Sequence, residues 1–148
     1  MRSPSSDAVP LPLSSPFLQV EEILEMVQAE DFATLSPKLF VRIAHCVGSP
    51  HFQVAERALF LWNNEYIVGL IAQNRTHILP IVFSSLYTNS RTHWNSTVHG
   101  LTCNVVKLFM EMDASLFVSV CRARTRRGHT RRLWLLSPGC PWLRRHRC

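Results

Sequence analysis

The stretch HFQVAERALFLWNNEYI, residues 51–67, decides the fold. Phe52, Ala55, Leu59 and Trp62 recur at steps of three and four, which places them on one face of an α-helix. Ser49-Pro50 just upstream is a start signal, because serine can accept from a free first-turn N–H and proline tolerates that turn. Asn63-Asn64 then interrupts the helix. Tyr66, Ile67, Leu70 and Ile71 resume the period as a short further helix.

The same period extends in both directions. Upstream, Val20, Ile23, Leu24 and Val27 share a face opposite Glu21, Glu22 and Glu25. A second segment, with Asp31 as a candidate cap, aligns Phe32, Leu35, Leu39, Ile43 and Val47; Ser36-Pro37 is expected to divide it and Gly48 to stop it. Downstream, Ile78, Val82 and Leu86 predict a fifth helix, with Pro80 tolerable only in its first turn. Thr92 is the expected cap of the longest helix, along which Trp94, Val98, Leu101, Val105, Leu108 and Met112 recur. A weaker piece runs from Ala114 to Val120.

Breaks every ~15–20 residues imply helix pairs repeating at about 40, the range of HEAT-type arrays. The predicted fold class is therefore all-α, a HEAT-like solenoid of antiparallel helix pairs. A compact helical bundle is the competing architecture, and periodicity alone does not separate the two.

Three segments are expected: a flexible leader at 1–16 holding four of the nine prolines, helical repeats at 17–120, and a basic tail at 121–148. The net charge of +6 belongs to the tail: residues 1–120 carry ten acidic and seven basic side chains, whereas 121–148 carry nine arginines and no acid. The N-terminus lacks the apolar run of a signal peptide, and no stretch approaches the ~18 apolar residues of a membrane span. Five cysteines without a C-x-x-C pair suggest reduced thiols and a cytoplasmic or nuclear setting. Two glycosylation sequons, at Asn74 and Asn95, then read as chance matches.

Catalytic signatures are missing: there is no glycine-rich phosphate loop, no H-E-x-x-H and no G-x-S-x-G. His45 and Cys46 are adjacent, point about 100° apart on a helix and lack further ligands, so no metal and no cofactor is expected. Glu56 and Arg57 are read as part of a structural ion pair or capping network between neighbouring helices, with orientation of the Asn63-Asn64-Glu65 loop toward a partner as the functional alternative. Trp62 and Trp94 are read as core anchors between successive repeats, a partner-facing hot spot being the alternative.

With these residues in place, the chain resembles the B-prime (B56-type) regulatory subunits of protein phosphatase 2A. The likeness rests on residues 51–67, Ile78-Leu-Pro-Ile81, His93-Trp-Asn95, Leu108-Phe-Met-Glu-Met112 and, before them, Glu-Glu-Ile-Leu at 21–24. The resemblance covers about 17–118. It implies a truncated right-handed stack of HEAT-like repeats, corresponding to the family's C-terminal two to three repeats; the leader and tail outside it are expected to be disordered from their composition. It also implies no catalytic activity, binding to the phosphatase scaffold and catalytic subunits, and indirect selection of phosphoprotein substrates. The family's groove for short substrate motifs lies in earlier repeats, so no residue of it carries over. Asn63, Asn64, Glu65, Arg91 and His93 are the expected partner-binding positions; no membrane and no nucleic acid is expected among the partners. Two alternatives remain from the residues alone. The arginine-rich tail could bind nucleic acid or direct the chain to the nucleus, or the short form could be non-functional.

Overall fold

The computed structural model describes residues 16–127. The described residues fold into seven α-helices and one 3-10 turn, and no strand occurs among them. The elements are α1 (Pro16–Met26), α2 (Ala29–Val47), α3 (Phe52–Leu59), the 3-10 turn Phe60–Asn63, α4 (Glu65–Gln73), α5 (Arg75–Thr92), α6 (Ser96–Met112) and α7 (Ala114–Arg127).

These helices form two layers. One contains α1, then α3 with the 3-10 turn and α4, then α6; the other contains α2, α5 and α7. Within each layer successive members touch, α1 on α4 and α3 on α6 in the first, α2 on α5 and α5 on α7 in the second. Helices of each layer are thus laid side by side in succession, the arrangement of a helical-repeat solenoid rather than a bundle about one axis.

An aromatic ladder ties the three repeats together. Phe32 meets Phe40 edge-on at 6.1 Å, Phe40 meets Trp62 at 6.1 Å, and Trp62 meets Phe109 at 6.2 Å. Such T-shaped contacts put a positive ring edge over a negative face, worth about 0.5–1.5 kcal/mol each beyond burial. Trp62 is therefore the core anchor expected of it, only 3% exposed. Its indole N–H has no hydrogen-bond partner.

Two prolines sit differently from expectation. Ser36-Pro37 does not divide α2, which runs unbroken through it. Pro37 removes the N–H that would bond the Ala33 carbonyl, and the buried Ser36 hydroxyl donates to that carbonyl instead at 3.3 Å. Pro80 lies at the sixth position of α5, beyond its first turn, on an exposed side of the helix.

Polar links pin repeat to repeat. The buried Asn89 side chain on α5 donates to the Val47 carbonyl at the end of α2, satisfying one of that helix's orphan acceptors. A Cβ at Gly48 would come within 3.3 Å of the Ser85 Oγ, which shows how closely α2 and α5 approach there. Asn89→Ala leaves the Val47 carbonyl unpaired, and a loss of about 1–3 kcal/mol is expected in denaturant unfolding.

Between the α4–α5 and α6–α7 turns, the Arg75 Nε donates to Asp113 Oδ2 at 3.1 Å, and both side chains are partly exposed. Asp113 also caps α7, its Oδ1 accepting from the Leu116 N–H at 2.9 Å. That backbone bond, and then Arg75, hold the Asp113 carboxyl below its ordinary value of 3.8. A depressed carboxyl contributes stability above its unfolded pKa, and the contribution is lost as pH falls through the folded one. Stability is accordingly expected to fall on acidification below 3.8, and Asp113→Asn should flatten that part of a melting-temperature profile against pH.

Candidate docking surface

Two inter-repeat corners lie together at one end of the stack. The first is Gly48–His51, between α2 and α3; the second is His93–Asn95, between α5 and α6. Asn95 fixes the second corner as the N-cap of α6, accepting from the Thr97 and Val98 N–H groups at 2.9 and 3.2 Å. Thr92, the expected cap, is instead the last residue of α5.

Because the cap is Asn95, Trp94 stands outside the helix and not on its buried stripe. It is 70% exposed, which corrects its reading as a core anchor. Its Nε1 donates to the Pro50 carbonyl at 3.3 Å, joining the two corners. Phe52 meets it edge-on at 5.7 Å and is itself 38% exposed, again not buried as expected. His93 stacks on the other side of this system, its ring 6.0 Å from Trp94. The His93 Nδ1 accepts from the Asn95 N–H at 3.2 Å, while its buried Nε2 has no partner. The result is an exposed aromatic ridge held from below by backbone bonds.

Residues 48–55 and 88–100 contain no acidic residue, and they carry Arg91 together with histidine or aromatic side chains at 51, 52, 93 and 94. Arg91 is not free to project outward: its Nη1 donates to the Tyr87 hydroxyl at 2.8 Å and its guanidinium lies over that ring at 5.6 Å. Arg124 on α7 covers the same ring at 4.6 Å.

The other expected partner-binding loop lies elsewhere. Asn63 ends the 3-10 turn, roughly 17 Å along the helix axis from Phe52 at ~1.5 Å per residue. Asn64 serves the fold, since its Oδ1 accepts from the Tyr66 and Ile67 N–H groups as the N-cap of α4. Its Nδ2 donates to Glu21 at 3.0 Å and to Glu25 at 2.6 Å, both on α1. The Tyr66 hydroxyl adds a bond to the Val27 carbonyl at 3.0 Å. Asn63 and Glu65 remain exposed. Asn64→Ala removes a cap and a bridge at once, and a destabilisation of about 1–2 kcal/mol is expected, with amide exchange rising first in α1.

Among the described residues Glu56 and Arg57 form no ion pair, contrary to expectation; Glu56 is half-buried and Arg57 exposed on α3. The thiol of Cys46 is free, and burial pushes it up against the lowering pull of Arg42.

Among the described residues no three His, Cys, Asp or Glu side chains come together as a metal site, and no helix is long and apolar enough to cross a membrane. Helix α7 carries regular structure past Val120 to Arg127, into the segment read as tail; the leader and the rest of the tail lie outside the described residues.

Comparison with known proteins returns one family. The family model described as "Protein phosphatase 2A regulatory B subunit (B56 family)" matches residues 15–132. The chain is 54% identical over 99 residues to the delta isoform of the serine/threonine-protein phosphatase 2A 56 kDa regulatory subunit of Oryctolagus cuniculus, covering 67% of this chain and 17% of that protein. It is 59% identical over 99 residues to the B' beta isoform of the 57 kDa regulatory subunit of Arabidopsis thaliana, covering 67% and 20%. Against the B' theta isoform of the same plant the identity is 50% over 113 residues, covering 76% and 23%. The chain thus spans about a fifth of the length of the curated relatives it matches.

Proposed function

The chain belongs to the B56 family of protein phosphatase 2A regulatory B subunits, and from that premise we propose that it acts as a non-catalytic regulatory element of that serine/threonine phosphatase. It works by protein–protein binding, docking on the scaffold and catalytic subunits and so influencing which phosphoproteins the enzyme reaches. Phosphoprotein substrates are engaged only indirectly. Cytoplasm and nucleus are the proposed compartments.

The observation that carries this reading, beside the family itself, is the ridge of Trp94, Phe52 and His93. Large aromatic side chains left exposed on rigid corners cost solubility, and they are the residue types that anchor interfaces. The ridge sits on turns whose backbone is already fixed by the Asn95 cap and the Trp94–Pro50 bond, so little conformational freedom is lost on binding.

A phosphopeptide panel tests the proposal. The purified scaffold–catalytic dimer is assayed with and without the 148-residue chain. The expected result is a change in relative kcat/KM across the panel, with no turnover by the chain alone. Unchanged ratios at saturating chain would overturn it.

A further inference from the structure

The Tyr87 ring gathers guanidinium groups from two helices. Phe83 stacks on it at 6.2 Å and meets Phe117 of α7 edge-on at 5.7 Å, so a base of buried rings fixes Tyr87 between α5 and α7. On this base lie the Arg91 guanidinium, 5.6 Å from the ring centroid, and that of Arg124, 4.6 Å from it. Both arginines are half-buried and so remain in reach of solvent. A guanidinium laid over a ring spends its face there and keeps its in-plane N–H donors for an acceptor. Arg91 commits a donor at Nη1 to the Tyr87 hydroxyl; Arg124 commits none among the described residues.

Neither charge meets a carboxylate. Among the described residues the ion pairs are Arg75–Asp113 and Lys107–Glu111. Residues 66–110 and 114–148 contain no aspartate or glutamate. Helix α2, which reaches this end of α5 through Val47 and Gly48, holds no acid after Asp31. Two like charges are therefore fixed on one ring, without a counter-charge from any helix packed around it. A carboxylate would neutralise only one of them. A phosphate carries close to two negative charges near neutral pH and offers three acceptor oxygens, and planar guanidinium edges bind it well.

We propose that Arg91 and Arg124, held on the Tyr87 ring, form an oxyanion site for a phosphate dianion, either the free ion or the monoester of a phosphorylated side chain. The bound phosphate accepts from the N–H edges of both guanidiniums and ties α5 to α7. Stacking on Tyr87 has already ordered the two long side chains, so little rotamer freedom is lost on binding. The site does not depend on the phosphatase reading, which is carried by the ridge of Trp94, Phe52 and His93, and it is measured on this chain alone.

Inorganic phosphate and, in a separate arm, blocked phosphoserine amide are titrated into the 148-residue chain at constant ionic strength and followed by phosphorus NMR and thermal melts. Saturable one-site binding is expected, with a melting temperature that rises with ligand concentration. Arg124→Gln should weaken binding by about tenfold or more. Arg91→Lys should weaken it as well, because lysine keeps the charge and loses the planar fork. Arg122→Gln removes the same charge from α7 about 200° around the helix and should leave binding unchanged. All three variants should keep the helical circular dichroism of the parent. Tighter binding of the free ion assigns the site to inorganic phosphate, and tighter binding of the monoester to a phosphorylated side chain. Three results would overturn the inference: no saturable binding in either arm, an Arg91→Lys variant that binds as the parent does, or equal weakening by Arg122→Gln and Arg124→Gln, which would make phosphate a mere counterion of a basic helix.

Discussion

Trp62→Ala is expected to lower stability by about 3–5 kcal/mol, a large share of the ~5–15 kcal/mol typical of a small domain. Trp62 is 3% exposed and bridges Phe40 of the first repeat to Phe109 of the third. Removing it opens a cavity where three repeats meet, and neighbours on different helices cannot all collapse into it. The variant should therefore lose cooperativity as well as midpoint in a urea titration. Trp62→Phe separates packing from polarity. The indole N–H is buried without a partner, so its loss removes an unsatisfied donor, and the phenyl ring retains the edge-to-face contacts. That variant should lose less than about 1.5 kcal/mol. Equal losses for the two variants would mean that ring packing is not what matters at this position.

The second large effect is on binding. Trp94→Ala is expected to weaken attachment to the scaffold–catalytic dimer by about 2 kcal/mol or more, roughly thirtyfold in Kd. Stability should hardly change, because a side chain 70% exposed leaves little cavity when removed and exposed substitutions cost about 0.5 kcal/mol or less. Isothermal titration alongside a thermal melt reads both quantities. A melt that collapses together with binding would place Trp94 in the fold after all, where its helical spacing had first suggested it.

Sequence periodicity and the structure part company at identifiable residues. The buried stripe of Phe32, Ile43 and Val47 on α2, and that of Val98 and Val105 on α6, follow the three-to-four spacing, so helix identity was legible. Trp94 was not, because it falls in phase with the α6 stripe while lying one residue before its cap. The missed signal was Asn95, a better N-cap than Thr92 and able to serve two N–H groups. Pro37 misled for a related reason: rules for helix breaking do not anticipate that Ser36 supplies the donor the ring removes. The bridge from Asn64 to Glu21 and Glu25 spans 43 and 39 residues, and no local pattern encodes contacts at that separation. Family likeness pointed to the Asn63–Glu65 loop as a partner surface, whereas chemistry assigns Asn64 to holding α1 against α4.

The central claim is that a short stack of helical repeats presents an aromatic corner on which the phosphatase core docks. Sedimentation velocity of the full chain mixed with purified scaffold–catalytic dimer tests it most directly. The account predicts that the chain, and its Trp62→Phe variant, co-sediment with the dimer while Trp94→Ala stays behind. A chain that is helical by circular dichroism yet sediments alone, at concentrations well into the micromolar range, would contradict it.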